Sequence, residues 1–224
     1  MNGRPSSPHA NQPVLAVGRP LSEAPAAVVM VHGRGASAES ILELAAEFER
    51  PELAYVAPQA AGSTWYPYSF LAPFEKNEPG LSSALELLEK ILAKLESEGI
   101  PPERTVLLGF SQGACLSTEL AARHPRRYAG IVALSGGLIG PPGTPRDYPG
   151  SLDGTPVFLG CSDVDPHIPK ERVDESEEVL RRMGAQVTKR IYPGMPHTVN
   201  EDEVEWVREL LAGLVRQEVA RSGQ

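Results

Sequence analysis

Short apolar runs alternate with amphipathic segments along most of the chain. Six such runs occur, and most of them are continuous and rich in Val, Ile and Leu, which is typical of strands covered on both faces, as in a parallel sheet. The last run alternates with polar residues, so we expect it nearer to a sheet edge, and a weaker strand is predicted at 14–18. The six runs are 26–31, 53–57, 105–109, 130–135, 155–160 and 185–192.

Helical spacing of apolar residues appears between these runs. Ser37 is placed to cap the first such segment, and Gly99 with the prolines after it ends the second. Alternation of strands and helices predicts the α/β class, with a doubly wound, mostly parallel sheet and helices on both faces. We expect one domain over 13–224 and a flexible tail over 1–12. The predicted helices are 37–49, 81–99, 111–124, 170–184 and 200–220.

Charge and length exclude several classes of function. The 224 residues carry a formal net charge of −8, which disfavours binding to nucleic acid or to an anionic membrane surface. No apolar run reaches the length of a membrane span, and the polar N-terminus lacks the apolar core of a secretory signal. We therefore expect a cytoplasmic protein without membrane insertion, in which Cys115 and Cys161 are buried free thiols.

The stretch "GFSQG" places Ser111 between Gly109 and Gly113, where a predicted strand meets a predicted helix. A direct strand-to-helix turn is sharp, and the two glycines relieve the clash that side chains would make there. Such a turn exposes the serine at the carboxyl edge of the sheet, where ligands bind in this class. The plain alternative is a serine that caps the helix.

A serine hydroxyl needs a neighbouring base to become a nucleophile. His197 is the best candidate, since it follows the last predicted strand and lies on the same sheet edge as Ser111. The other histidines lie in the tail, in the "HGRG" turn, at a helix end or in the acid loop (His9, His32, His124 and His167). A serine and a histidine of this kind work with an acid that orients the imidazole, and the three form a catalytic triad. The acid should be Asp163 or Asp165, in the loop after 155–160, and spacing alone does not choose between them.

If Ser111 is a nucleophile in acyl transfer, backbone N–H donors must also stabilise the oxyanion of the tetrahedral intermediate. The N–H of Gln112 lies at the start of the helix, and the N–H of Arg34 lies in the glycine-rich "HGRGAS" loop. That loop lacks the phosphate-binding glycine patterns, and no metal-ligand motif occurs, so neither a cofactor nor a metal is implied.

With these residues assembled, the chain resembles the phospholipase/carboxylesterase family of α/β-hydrolases, which are relatives of the acyl-protein thioesterases. The "HGRG", "GFSQG", "NEPGL", "SDVDPHIP" and "GMPH" segments carry the resemblance. It implies an α/β-hydrolase fold without a large cap domain, and it points to Asp165 as the catalytic acid. It also implies that the loop over 63–80 lines the substrate pocket. The predicted substrate contacts are Trp65, Tyr66, Phe70, Leu71, Ile168 and Met195.

The resemblance implies a serine carboxylesterase that needs no cofactor. Together with the departure at Arg34 described below, it leads us to expect small-molecule substrates, namely small to medium-chain carboxylic esters. Thioesters or lysophospholipids are alternatives on the same triad, and a non-catalytic binding protein is a third hypothesis. The sequence departs from the thioesterase branch at Arg34, where that branch carries an apolar residue. Its cation would favour negatively charged substrates or pair with Glu39 or Glu78.

Overall fold

The computed structural model describes residues 7–222, with side chains described up to residue 216. Seven strands form one sheet in the order β1-β3-β2-β4-β5-β6-β7. All neighbouring pairs are parallel except β1 with β3, so β1 is an antiparallel edge strand. The strands are β1 Val14–Gly18, β2 Ala27–Val31, β3 Ala54–Pro58, β4 Thr105–Phe110, β5 Gly130–Leu134, β6 Pro156–Ser162 and β7 Gln186–Tyr192.

Helices cover both faces of this sheet, and an apolar core lies between the sheet and the helices on each face. One core packs under α3, α4 and α5, and the other under α1, α2 and α6. Within β2, Val29 and Val31 face the first core and Val28 and Met30 face the second, which explains the unbroken apolar run. The helices are α1 Ala38–Leu42, α2 Leu44–Glu47, α3 Gly80–Ser97, α4 Gln112–Arg123, α5 Lys170–Arg182 and α6 Glu201–Ser222.

The α/β-hydrolase fold and most of the predicted elements are confirmed. Ser37 caps α1 as expected, accepting the N–H of Ser40 in a capping box. The predicted helix over 37–49 is divided at Glu43 into α1 and α2. β7 is an edge strand, as its polar alternation predicts.

The N-terminal segment differs from the expected flexible tail. His9 is only 1% exposed, and its backbone N–H donates to Ser83 Oγ of α3 at 2.9 Å. Residues 7–12 are therefore packed against the domain, while residues 1–6 lie outside the described residues. The polar composition of the segment gave no sign of this packing, because His9 is the one buried residue within residues 7–12.

The carboxyl ends of the parallel strands carry the candidate residues. Ser111 follows β4, Asp165 follows β6 and His197 follows β7, all at one edge of the sheet. No helix in the described part of the chain has the length and apolarity needed to cross a membrane.

Candidate active site

Ser111 is the single residue between β4 and α4, and its backbone is strained. Its φ of 55° and ψ of −118° lie in a sparsely populated region for a residue with a side chain. A Cβ on Gly109 would overlap the backbone of Gly113, and a Cβ on Gly113 would overlap the carbonyl of Val31. Gly109 thus avoids a clash inside the turn, as predicted, whereas Gly113 also lets α4 cross close over β2.

The Ser111 side chain makes no capping hydrogen bond to α4. Its Oγ instead lies 2.9 Å from His197 Nε2, within hydrogen-bonding reach. This geometry disagrees with the interpretation of Ser111 as a simple helix cap. It leaves the hydroxyl free to give its proton to the imidazole.

Asp165 orients the His197 ring from the other side. His197 Nδ1 lies 2.7 Å from Asp165 Oδ2, and Asp165 Oδ1 accepts the backbone N–H groups of His167 and Ile168 at 2.8 and 3.0 Å. Burial raises the pKa of the Asp165 carboxyl, but the hydrogen bonds from His197 and the two amides outweigh it, so the pKa lies below its usual value. Asp165 is therefore an ionised acceptor that holds the ring in one orientation.

The neighbouring Asp163 performs a different task. Its Oδ1 accepts the backbone N–H of Gly194 at 2.7 Å, which ties the acid loop to the loop that carries His197. The structure thus brings Asp165, and not Asp163, to the imidazole. This agrees with the choice that the family resemblance implied.

Two of the remaining histidines are buried and bonded to the backbone. The His9 ring bonds to the Trp65 carbonyl at 2.9 Å. His32 Nδ1 donates to the Gly33 carbonyl at 2.7 Å, and Nε2 accepts the Ala60 N–H at 3.1 Å. Burial lowers the pKa of both rings, so they remain neutral supports.

His124 and His167 lie at the surface. His124 ends α4 and pairs with the Glu89 carboxylate. His167 is exposed at the mouth of the site, where its ring packs edge-on against His197 with the ring centroids 4.9 Å apart. Of the five histidines, His197 is the one that reaches Ser111.

The two predicted oxyanion donors lie beside Ser111. Gln112 begins α4, where backbone N–H groups carry partial positive charge, and Arg34 follows Gly33, whose added Cβ would lie 3.5 Å from Ser111 Cβ. Within the described chain, neither backbone N–H has a protein acceptor. Both donors are therefore free for an oxygen bound at this point.

The side chains of Arg34 and Gln112 bind one segment, residues 65–69, which we call the wall loop. Gln112 Oε1 accepts the Trp65 N–H at 3.0 Å, and Nε2 donates to the Tyr66 carbonyl at 2.8 Å. Arg34 donates to the carbonyl oxygens of residues 66, 67 and 68 at 2.9, 2.9 and 2.7 Å. Arg34 and Gln112, whose backbone N–H groups are the candidate oxyanion donors, thus also fix the wall loop through their side chains. Arg34 does not pair with Glu39 or Glu78, contrary to that sequence-based alternative.

Asn77 anchors the wall loop from behind and was missed by sequence reasoning. Its buried side chain accepts the Tyr68 N–H and donates to the Ser69 carbonyl, both at 2.9 Å. Asn77 begins the "NEPGL" segment, which entered the sequence argument only through the family resemblance. A lone asparagine in a loop carries no spacing signal that distinguishes an anchor from a turn residue.

A cavity of about 620 Å³ opens at Ser111. Three of the six predicted substrate contacts line it, namely Tyr66, Phe70 and Ile168. The lining also includes residues that the sequence reasoning did not select: Tyr68, Ser69, Phe110, Cys115 and His167.

The other three predicted contacts point elsewhere. Trp65 is fully buried and donates its indole N–H to the His32 carbonyl at 2.8 Å. Leu71 packs against the core under α3, α4 and α5, and Met195 Sδ lies 2.9 Å from Asn200 Nδ2. An aromatic or apolar residue in a pocket loop can face either side, and sequence does not reveal which.

Both cysteines are buried free thiols, as predicted. Cys115 lies at the base of the cavity, and burial raises the pKa of its thiol to about 12. It is thus a neutral lining group at ordinary pH and not a competing nucleophile.

Glu203 supports the histidine loop from the first turn of α6. Its Oε2 accepts the Asn200 N–H at 3.0 Å, and Asn200 Oδ1 accepts the Glu203 N–H at the same distance. The side chain is fully buried against Gly160 of β6, and Oε1 has no partner in the described chain. Burial raises the pKa of the Glu203 carboxyl to about 7.

Comparison with known proteins shows which family the chain is similar to. Acyl-protein thioesterase 1 of Saccharomyces cerevisiae is 32% identical over 134 residues, a match that spans 56% of this chain and 56% of that protein's length. Acyl-protein thioesterase 1 of Candida albicans is 28% identical over 219 residues, covering 88% of this chain and 95% of that protein.

A solved structure is more similar. The crystal structure of a phospholipase/carboxylesterase from Dyadobacter fermentans superposes with a TM-score of 0.87 at 44% identity, covering 90% of this chain and 97% of that one. The family model described as Phospholipase/Carboxylesterase matches residues 12–214. The chain therefore belongs to the phospholipase/carboxylesterase family of α/β-hydrolases.

Proposed function

We propose that the protein is a serine carboxylesterase that hydrolyses small to medium-chain carboxylic esters. The observation that carries the proposal is the continuous contact from Ser111 Oγ through the His197 ring to the Asp165 carboxylate, at 2.9 and 2.7 Å. A nucleophile, a base and an orienting acid within bonding reach are what acyl transfer requires.

In the proposed reaction, His197 Nε2 takes the proton of Ser111 Oγ while Oγ attacks the ester carbonyl carbon. The negative charge that develops on the carbonyl oxygen is stabilised by the N–H groups of Arg34 and Gln112. His197 then gives its proton to the leaving alcohol oxygen as the C–O bond breaks. Water then gives a proton to the same imidazole as its oxygen attacks the acyl carbon. His197 returns that proton to Ser111 Oγ as the bond from Oγ to the acyl carbon breaks, which releases the acid and regenerates Ser111.

The cavity suits a substrate of this kind. A volume of about 620 Å³ lies in the range of small-molecule sites. Its apolar side chains, Tyr66, Phe70, Phe110 and Ile168, would cover an acyl chain. Burial keeps the pKa of the Tyr66 phenol well above its usual value, so the Tyr66 side chain stays uncharged.

Replacement of the nucleophile tests the proposal. Ser111→Ala should lower turnover of 4-nitrophenyl butyrate by several orders of magnitude and abolish the mass gain with a fluorophosphonate, because Ser111 is the hydroxyl that contacts the His197 base. Ser97→Ala, which changes an exposed serine at the end of α3, is the matched control and should keep both. If the intact protein neither turned over esters nor gained mass, a non-catalytic binding protein would be the better interpretation.

Thioester hydrolysis is the second candidate, favoured by the names of the yeast relatives. It would use the same triad with a thiolate as leaving group. Matched oxygen and sulfur esters of one acyl chain, compared by kcat/KM, decide between the two substrate classes.

A further inference from the structure

One charged feature of the cavity is not used by the proposed mechanism. Among the described residues that line the cavity, none carries a carboxylate, while Arg34 contributes a cationic guanidinium. In the part of the chain that the structure describes, the other ionisable lining groups are the Cys115 thiol, the tyrosine phenols and the imidazoles of His167 and His197. A protein with net charge −8 thus has a cavity whose lining side chains include a cation and no carboxylate, while the Asp165 carboxylate lies behind the His197 ring.

The Arg34 guanidinium is held in place but not neutralised. Three of its five N–H groups donate to wall-loop carbonyls, which leaves the Nε hydrogen and one Nη1 hydrogen unused. Within the described chain, no carboxylate lies within ion-pair distance of Arg34. Three carbonyl dipoles fix the direction of the fork, so an anion could bind to it without the entropy cost of ordering a mobile side chain.

The Arg34 side chain lies close to the proposed reaction because the backbone of the same residue takes part in it. Because the Arg34 N–H is a candidate oxyanion donor, its side chain starts at the scissile carbonyl and runs along the wall loop. The wall loop also contributes Tyr66, Tyr68 and Ser69 to the cavity lining. A negative group at the end of a short acyl chain would lie along this same wall.

We infer that the enzyme prefers esters whose acyl chain ends in a carboxylate, that is, monoesters of short dicarboxylic acids. This inference rests on the proposed function, since it names the substrate class of the same site. Arg34 is then a specificity-determining residue as well as an anchor of the wall loop. If Arg34 were an anchor only, neutral and anionic acyl chains of equal length would be hydrolysed alike.

Three nitrophenyl esters of matched reach separate these possibilities. Mono-4-nitrophenyl glutarate ends in a carboxylate, 4-nitrophenyl pentanoate ends in a methyl group, and the 4-nitrophenyl ester of 4-(trimethylammonio)butyrate ends in a cation. We expect kcat/KM, corrected for spontaneous hydrolysis, to fall in that order for the unmodified enzyme. The glutarate-to-pentanoate ratio should also fall when ionic strength rises from about 0.01 M to about 1 M, because salt screens the charge pair.

Variants then assign the preference to one residue. Arg34→Met should lower the glutarate-to-pentanoate ratio by about tenfold, the size expected for one hydrogen bond to a charged group. Arg182→Gln removes an exposed arginine at the end of α5 and the same unit of net charge, and it should leave the ratio unchanged. Using the ratio cancels any general loss of activity that follows from a loosened wall loop.

The outcomes separate this inference from the proposed function. Equal rates on all three esters, or a ratio that neither salt nor Arg34→Met changes, would leave the esterase intact and overturn the charge preference. Failure to hydrolyse any of the three esters, together with failure to react with a fluorophosphonate, would overturn both. A ratio that fell equally in Arg182→Gln would assign the effect to net charge and contradict the role of Arg34.

Discussion

Asp163 and Asp165 lie two residues apart in one loop, yet they bond to different partners. Asp165 binds the imidazole that faces Ser111, whereas Asp163 binds the backbone N–H of Gly194 in the histidine loop. Both contacts connect the loop after β6 to the loop after β7. The first contact orients the His197 ring, and the second ties the two loops together.

Exchanging each carboxylate for an amide separates these roles. Asp165→Asn should lower kcat on a nitrophenyl ester by about 10⁴-fold, because the amide can hold the ring in the wrong tautomer and does not stabilise an imidazolium. Asp163→Asn keeps an oxygen that can accept the Gly194 N–H and should lower kcat by less than about tenfold. Kinetics with both purified variants measure this, and similar losses in the two would contradict the assignment of the acid.

At the scale of elements, the turn from β4 to α4 decides whether Ser111 reaches the site. The turn contains no residue besides Ser111, and α4 crosses directly over the end of β2. The backbone carbonyl of Val31 lies where a Cβ on Gly113 would be. Backbone cannot move aside as the end of a side chain can, so this close approach allows only glycine.

Two glycine substitutions should therefore have opposite effects. Gly113→Ala should lower the free energy of unfolding by several kcal/mol, because the added methyl overlaps a carbonyl. Gly213→Ala lies inside α6 with the nearest other atom 3.9 Å from the new Cβ, and it should raise the free energy by about 0.5–1 kcal/mol through helix propensity. Urea unfolding of both variants measures the difference, and equal effects would contradict the packing argument.

The strands, Ser111 and His197 were predictable because each has a local signal, whereas Asp165 was separated from Asp163 only by the family resemblance. Apolar runs mark buried strands, and the order of elements places the three loops at one sheet edge. The wall loop was predicted as a pocket segment, but which of its side chains face the cavity was not. Its conformation depends on side chains outside the loop, the distant Arg34 and Gln112 and the nearer Asn77, and these hydrogen bonds leave no periodicity in the sequence. The burial of His9 escaped for the same reason.

For the whole molecule, Glu203 links the stability of the fold to pH. Its carboxyl is buried between α6 and β6, and its pKa is raised from an ordinary 4.5 to about 7. The folded protein thus holds a proton that the unfolded chain releases between these values. This contribution to stability is present below about pH 4.5 and is lost as the pH rises through about 7.

Glu203→Gln should remove this dependence, since an amide does not titrate in this range. Between pH 5 and pH 8, the unmodified protein should lose roughly 2–3 kcal/mol of unfolding free energy relative to the variant. The amide oxygen of the variant side chain can still accept the Asn200 N–H, so the start of α6 is kept. Guanidinium unfolding of both proteins at the two pH values provides the measurement, and parallel pH profiles would contradict the linkage.

The way in which the wall loop is anchored bears on how such enzymes diverge. Arg34, Asn77 and Gln112 hold main-chain atoms of residues 65–69, so the loop keeps its path whatever side chains it displays. Tyr68, which is 57% exposed, is free to be exchanged without releasing any of these anchors. Descendants of one ancestor can therefore acquire new substrate preferences through changes in this stretch while the hydrolytic apparatus stays untouched.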